Sequence, residues 1–83
     1  MIDVHYFANI REMLGVAREQ VALPQPATVA ALIDALVVQH GGRWQSLFNE
    51  TRVLTAVNQV VVPITAAIKD GDEVAFFPPV TGG

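Results

Sequence analysis

The chain has 83 residues, which is enough for one domain, and hydrophobic residues make up 52% of it, which is enough for one compact core. It has no cysteine, which excludes disulfides, thiolate metal sites and a cysteine nucleophile, and fits a reducing compartment. The net charge of −3 and the absence of a basic run argue against a nucleic-acid partner, and the longest apolar stretch, residues 27–38, is too short to span a membrane.

The first third of the chain predicts two strands around a short helix. Its opening residues include an early acid and lack the positive charges of a signal peptide, so we expect a cytoplasmic protein. Residues 2–7 alternate as a half-buried strand does. The two faces would carry Ile2, Val4 and Tyr6 on one side and Asp3, His5 and Phe7 on the other. NIREML predicts one or two helical turns, with Asn9 as N-cap and Gly15 as the stop, and residues 19–23 predict a second strand.

The middle of the chain predicts the main helix. Thr28 is a suitable N-cap, and His40 suits the negative end of the helix dipole. Gly41 and Gly42 are expected to end the helix. One apolar stripe at helical spacing contains Val29, Leu32, Ile33, Leu36 and Val37. The segment RWQSLF predicts a short helical piece that closes the core with Trp44, Leu47 and Phe48.

The last third predicts three strands, at residues 52–57, 60–62 and 73–77. Asn58-Gln59 forms a turn between the first two, and Asp70-Gly71 is a turn signal before the last. Pro63 ends the middle strand because proline cannot donate to a ladder.

This order of elements predicts an α+β fold. One amphipathic helix has one face to bury, and a single mixed sheet of four or five strands can cover it, with two hairpins flanking the helix. That is the β-grasp arrangement. We expect residues 1–77 to form this domain and residues 78–83 to form an extended tail.

The C-terminal segment PPVTGG predicts a functional tail. Pro78 and Pro79 favour a stiff, extended exit from the sheet. Gly82 and Gly83 have no side chains, so they can pass through a narrow channel, and the terminal carboxylate has no Cβ to crowd it. Another protein could activate such a carboxylate as an acyl-adenylate. The alternative is an idle, frayed terminus.

Other residues offer little chemistry. His5 and His40 are far apart in sequence and have no ligand spacing, so no metal site is expected. The acids around Gly71 are expected to form a solvated turn. Because no nucleophile or phosphate-binding motif is present, we expect no catalysis by the chain alone.

An apolar patch is predicted on the uncovered face of the sheet. Phe7, Val61 and Phe77 would all point away from the helix, and such a patch usually marks a protein contact. The alternatives are that these side chains pack under a loop or that the strand phases are shifted by one residue.

These residues resemble a known family. DGDEVAFFPPVTGG, with VNQ upstream and FANIRE after the first strand, closely resembles the small subunit of molybdopterin synthase, the MoaD family. The resemblance covers essentially the whole chain and implies a ubiquitin-like β-grasp fold. It also implies a sulfur carrier whose C-terminal glycine is adenylated by a separate ATP-dependent activating enzyme and converted to a thiocarboxylate. Two sulfur transfers then turn cyclic pyranopterin monophosphate into the dithiolene of molybdopterin.

The resemblance also implies partners and roles. The tail would insert into the large synthase subunit, which would supply the catalytic site, in a heterotetramer built on a dimer of large subunits. No cofactor would be bound to the carrier. Gly83 would hold the sulfur and Gly82 would let the tail thread. The surface shared by the large subunit and the activating enzyme would include Phe7, Arg11, Val61, Phe77, Pro78, Pro79, Val80 and Thr81. A bulkier aliphatic than Val61 would be typical of the family.

Three other functions fit parts of the sequence. A related carrier for thiamine synthesis shares the fold and the diglycine, but such chains tend to lack much of the ANIREML segment. A protein modifier joined through Gly83 is another possibility, although Lys69 is the single lysine and argues against chains built on itself. The third is an interaction domain with an idle tail.

Overall fold

The computed structural model of the chain describes residues 1–79. Its strands and helices follow one another as β1 (Ile2–Tyr6), α1 (Ala8–Leu14), β2 (Arg18–Val21), α2 (Val29–His40), α3 (Gly42–Glu50), β3 (Leu54–Val57), β4 (Val60–Val62) and β5 (Glu73–Phe77).

The strands form a single five-stranded mixed sheet in the order β2-β1-β5-β3-β4. The central strands β1 and β5 run parallel, and the other neighbours pair antiparallel. One face of the sheet packs against the helices, and no helix of residues 1–79 packs on the other, which we call the uncovered face. The predicted α+β, ubiquitin-like β-grasp fold is therefore confirmed, with five strands.

The core forms where the alternating strands meet the main helix. Ile2, Val4 and Tyr6 of β1 are buried, as the alternation predicts. On β5, Val74 and Phe76 are fully buried on the same face. The stripe on α2 packs against them, with Val29, Leu32 and Leu36 buried and Ile33 and Val37 partly buried. The third helix adds Trp44, Leu47 and Phe48.

Several predicted boundaries are correct and others are not. Thr28 caps α2 by accepting a hydrogen bond from the N–H of Ala31 at 3.2 Å. Gly15 ends α1 in the left-handed conformation, with φ of 73°, which glycine adopts easily. The predicted N-cap at Asn9 is wrong, because the carbonyl of Phe7 already accepts from the N–H of Ile10, and Asn9 lies inside the helix. Gly42 begins α3 instead of ending α2.

Two strands are shorter than predicted. The strand predicted at residues 19–23 is Arg18–Val21, so it stops before Pro24, and the one predicted at 52–57 begins at Leu54. The edges of short strands are set by pairing partners, which sequence alternation does not reveal.

A polar network joins four elements beneath the sheet edge. The hydroxyl of Tyr6 donates to Glu19 at 2.7 Å and accepts from the indole N–H of Trp44 at 3.0 Å. The ring of His40 stacks on that of Trp44, with centroids 3.9 Å apart, and Nε2 of His40 lies 2.8 Å from a carboxylate oxygen of Glu19. Burial, together with the Glu19 carboxylate, raises the pKa of Tyr6, so its hydroxyl stays protonated. The network locks β1, β2, α2 and α3 in one arrangement.

Asp72 organises the turns that flank β5. Its buried carboxylate accepts from the side-chain amide of Asn58 at 3.0 Å and from the backbone N–H of Lys69 at 2.9 Å. Asn58 completes the link by accepting from the N–H of Glu73 at 3.0 Å. Burial alone would raise the pKa of Asp72, but these hydrogen bonds outweigh it and hold the pKa below its ordinary value.

We expect Asp72→Asn to reduce the acid sensitivity of the fold. An unfolded aspartate has a pKa of about 3.9, so a lower folded pKa stabilises the protein above that pH, and this contribution is lost as pH falls through the folded pKa. Asp72→Asn should therefore lower the free energy of unfolding at pH 7 by about 1–2 kcal/mol and narrow the gap in stability between pH 7 and pH 3. Urea denaturation at both pH values, followed by Trp44 fluorescence, measures this.

Asp70→Asn is the matched control, because Asp70 lies in the same turn region and its exposed carboxylate makes only a solvent-screened pair with the N-terminal ammonium. It should change the stability by no more than about 0.5 kcal/mol. The prediction would be contradicted if the free energy of unfolding of Asp72→Asn fell between pH 7 and pH 3 by as much as that of the unmodified chain.

Candidate functional site

The predicted site has two parts, an apolar face and a tail. The uncovered face of the sheet lies within the described residues. The tail is described through Pro79, and the predicted site residues Val80, Thr81, Gly82 and Gly83 lie outside the described residues.

The strand register brings the predicted face together. Leu54 of β3 lies opposite Phe77 of β5. The N–H of Phe7 donates to the carbonyl of Phe76, so Phe7 lies beside the end of β5. Phe7 is 46% exposed and Val61 is 65% exposed, whereas Phe77 is half-buried. The strand phases predicted for these residues are correct, and we call Phe7, Leu54, Val61 and Phe77 the apolar face.

Two alanines form the floor of the apolar face. Ala56 lies opposite Ala75 in the β3–β5 pair and opposite Val61 in the β3–β4 pair. Both alanines are buried, although within residues 1–79 no helix packs on this side of the sheet. The face therefore has two small side chains at its centre and larger apolar ones around them. Sequence reasoning missed Leu54, Ala56 and Ala75 as members, although the alternation of LTAV and EVAFF could have identified them.

The base of the tail lies at one end of this face. Pro78 and Pro79 are half-buried and line a cleft together with Ala8, Asn9, Thr51 and Arg52. Arg11, on α1, is exposed. The two prolines thus lie next to Phe77, at the end of the apolar face.

The opposite end of the uncovered face is charged. Arg18 donates to both oxygens of Asp3 at 3.1 and 3.2 Å, and Nε2 of His5 lies 3.1 Å from Asp3. Nε2 of His5 also lies 3.7 Å from a carboxylate oxygen of Glu73. The hydrogen bond from His5, with help from Arg18, holds the pKa of Asp3 below its ordinary value. The surface thus changes from apolar at the tail to ionic at the far end.

This geometry suits presentation. The apolar face, the cleft and the tail base lie on one sheet. The polar side chains of Tyr6 and Asp72 are occupied by hydrogen bonds within the domain. Among residues 1–79, no helix is long and apolar enough to cross a membrane.

Comparisons with known proteins agree with this fold. The model of the ThiS family matches residues 4–83. The molybdopterin synthase sulfur carrier subunit of Escherichia coli is 46% identical over 83 residues, and that of Haemophilus influenzae is 39% identical over 83 residues; both matches cover 100% of each chain. A solved structure from Pyrococcus furiosus, described as a candidate subunit 1 of molybdopterin converting factor, has a TM-score of 0.77 and 34% identity, and the match covers 95% of this chain and 97% of that one.

Proposed function

The chain belongs to the ThiS family, and from this premise we propose that it is the sulfur-carrier subunit of a molybdopterin synthase. The observation that carries the proposal is the 46% identity to the E. coli carrier over the full length of both chains. The tail sequence and the apolar face beside it support the same conclusion.

The proposed reaction takes place at the carboxylate of Gly83. This carboxylate attacks ATP on a separate activating enzyme, pyrophosphate leaves, and an acyl-adenylate forms. Hydrosulfide supplied by the sulfur source then displaces AMP, which leaves a thiocarboxylate on Gly83. Adenylation makes a poor electrophile reactive, and the thiocarboxylate that follows is a far better nucleophile than the original carboxylate.

The sulfur is then delivered inside the large subunit. In each transfer the thiocarboxylate sulfur bonds to a side-chain carbon of cyclic pyranopterin monophosphate, and the carbon–oxygen bond that it replaces breaks. Hydrolysis of the bond between the carbonyl carbon and sulfur then returns Gly83 as a carboxylate. Two such transfers complete the dithiolene of molybdopterin. We place the catalytic side chains on the large subunit, since the carrier provides the sulfur and its presentation.

We assign the contact roles that the family resemblance implies, and the exposure of Phe7 and Val61 supports them. Phe7, Val61 and Phe77 bind the large subunit and, in turn, the activating enzyme. By the same resemblance Arg11, Pro78, Pro79, Val80 and Thr81 also take part in the contact, and Gly82, which has no side chain, can thread a narrow channel. Val61 is smaller than the family resemblance would imply, but its 65% exposure leaves it free for contact.

The proposed assembly is a heterotetramer of two carriers on a dimer of large subunits. The carrier needs no bound cofactor for this role, because ATP is consumed on the activating enzyme. We assign it to the cytoplasm, where a cysteine-free carrier avoids cross-linking its own sulfur.

Intact-mass measurement tests the proposal. The protein is incubated with ATP, a sulfur source and the matching activating enzyme, with a second sample lacking ATP. The expected result is a gain that corresponds to one oxygen replaced by one sulfur, only when ATP is present. Addition of the large subunit and the pterin precursor should then reverse the gain and form molybdopterin.

Other outcomes would assign another function. No mass gain, with an activating enzyme that charges a known carrier, would rule out sulfur carriage. A mass gain without transfer to the pterin precursor would favour the thiamine-type carrier. Attachment of the charged protein to lysines of other proteins would favour the modifier.

A further inference from the structure

The charged end of the uncovered sheet face holds three groups that can ligate a metal. Asp3 and His5 lie two residues apart on β1, so their side chains leave the same face of the sheet. The parallel register places Glu73 of β5 directly beside Asp3. One ligand atom from each of the three lies within 4.8 Å of the others.

The spacing of these atoms fits a small divalent ion. Zinc binds histidine nitrogen and carboxylate oxygen at about 2.0–2.2 Å, so neighbouring ligand atoms of a tetrahedral site are about 3.3–3.6 Å apart. Nε2 of His5 lies 3.1 Å from Asp3 and 3.7 Å from Glu73, on either side of that range. Small side-chain rotations would equalise the two distances, because all three side chains are only partly buried.

We propose that Asp3, His5 and Glu73 form a surface site for a divalent transition-metal ion, zinc above all. Two carboxylates balance the charge of the ion, and the imidazole favours zinc, copper or nickel over calcium and magnesium. Three protein ligands leave a fourth position open to water or to a side chain of another protein.

Arg18 is the built-in competitor of the ion. Its guanidinium donates a hydrogen bond to each oxygen of Asp3, so it competes with a metal ion for the charge of that carboxylate. Arg18 is 63% exposed at its side chain, so it can move into solvent without leaving a buried charge behind.

The position of the site also matters. The ring of His5 stacks on Phe7, with centroids 6.1 Å apart, so a metal on His5 would lie at the border of the apolar face. The sequence predicted no metal site because His5 and His40 are remote from each other. It could not show that β5 brings Glu73 beside β1.

Isothermal titration calorimetry with zinc chloride tests the site. The full chain, free of any histidine tag, is titrated at pH 7.5 in a weakly coordinating buffer, with calcium chloride as the hard-cation comparison. We expect one zinc ion per chain and no comparable heat from calcium. His5→Gln and Glu73→Gln should each weaken zinc binding at least tenfold.

Two further variants separate this site from adventitious binding. Arg18→Gln should tighten zinc binding severalfold, because it removes the competing cation. His40→Gln removes the other histidine and should leave zinc affinity within about twofold. Unchanged affinity in His5→Gln, or in Arg18→Gln, would overturn the proposal, as would loss of binding in His40→Gln.

An NMR titration of the unmodified protein tests the site without any variant. Zinc should shift the signals of the His5 ring and leave those of the His40 ring in place.

Discussion

Deletion of Gly83 is expected to abolish sulfur transfer while the domain stays folded. The deletion moves the terminal carboxylate back by one residue, a shortfall of about 3.3 Å along an extended tail. A displacement of about 1 Å at a reacting centre already costs on the order of a hundredfold in rate. We expect molybdopterin formation to fall at least about a thousandfold, measured with the large subunit, the activating enzyme and the pterin precursor.

Gly83→Ala distinguishes tail length from tail identity. It keeps the carboxylate at its distance and adds one methyl group, so its loss of activity should be much smaller than that of the deletion. Both variants should match the unmodified chain in urea denaturation, because the core described above lies within residues 1–79. Transfer that survives deletion of Gly83 would show that the carboxylate does not carry the sulfur.

Phe76→Ala and Phe77→Ala are expected to separate folding from partner binding. Phe76 is fully buried, and its ring lies 5.1 Å from Phe48 and 6.0 Å from Tyr6. Truncation of a buried phenylalanine costs about 3–5 kcal/mol, a large part of the stability of a small domain. Phe77 points to the uncovered face, so Phe77→Ala should cost about 1 kcal/mol of stability or less.

In binding to the large subunit, by contrast, we expect the clear effect from Phe77→Ala. Phe77→Ala should weaken the complex with the large subunit at least tenfold, as expected for an aromatic anchor of an interface. Urea denaturation followed by Trp44 fluorescence measures stability, and calorimetric titration of the large subunit measures binding. If Phe77→Ala bound as tightly as the unmodified chain, the apolar face would not be the contact surface.

Local patterns predicted the fold well because each element carries its own signal. The alternation in β1 and in EVAFF identified both central strands and their faces. The Thr28 cap and the spacing of the apolar stripe identified α2. The apolar face could be predicted from the same alternation, since the phase of a strand determines which side chains point away from the helix.

The features that were missed depend on contacts between distant segments. Tyr6, Glu19, His40 and Trp44 come from four elements, and nothing local shows that their polar atoms meet. The same holds for Glu73 beside Asp3, which depends on the parallel register of β1 and β5. The Asn9 cap was wrong because a backbone carbonyl performed the role that a side chain was expected to perform.

The parallel pairing of β1 with β5 has a consequence for synthesis of the protein. β1 is the first strand to leave the ribosome and β5 is the last of the five, yet β5 lies between β1 and β3 and joins the two halves of the sheet. A nascent chain that stops before Phe77 therefore lacks the strand that closes its core. Because such long-range closure comes late in folding, any chain that presents the apolar face has already been translated up to the start of its tail. The last strand to be translated thus completes both the hydrophobic core and the apolar face.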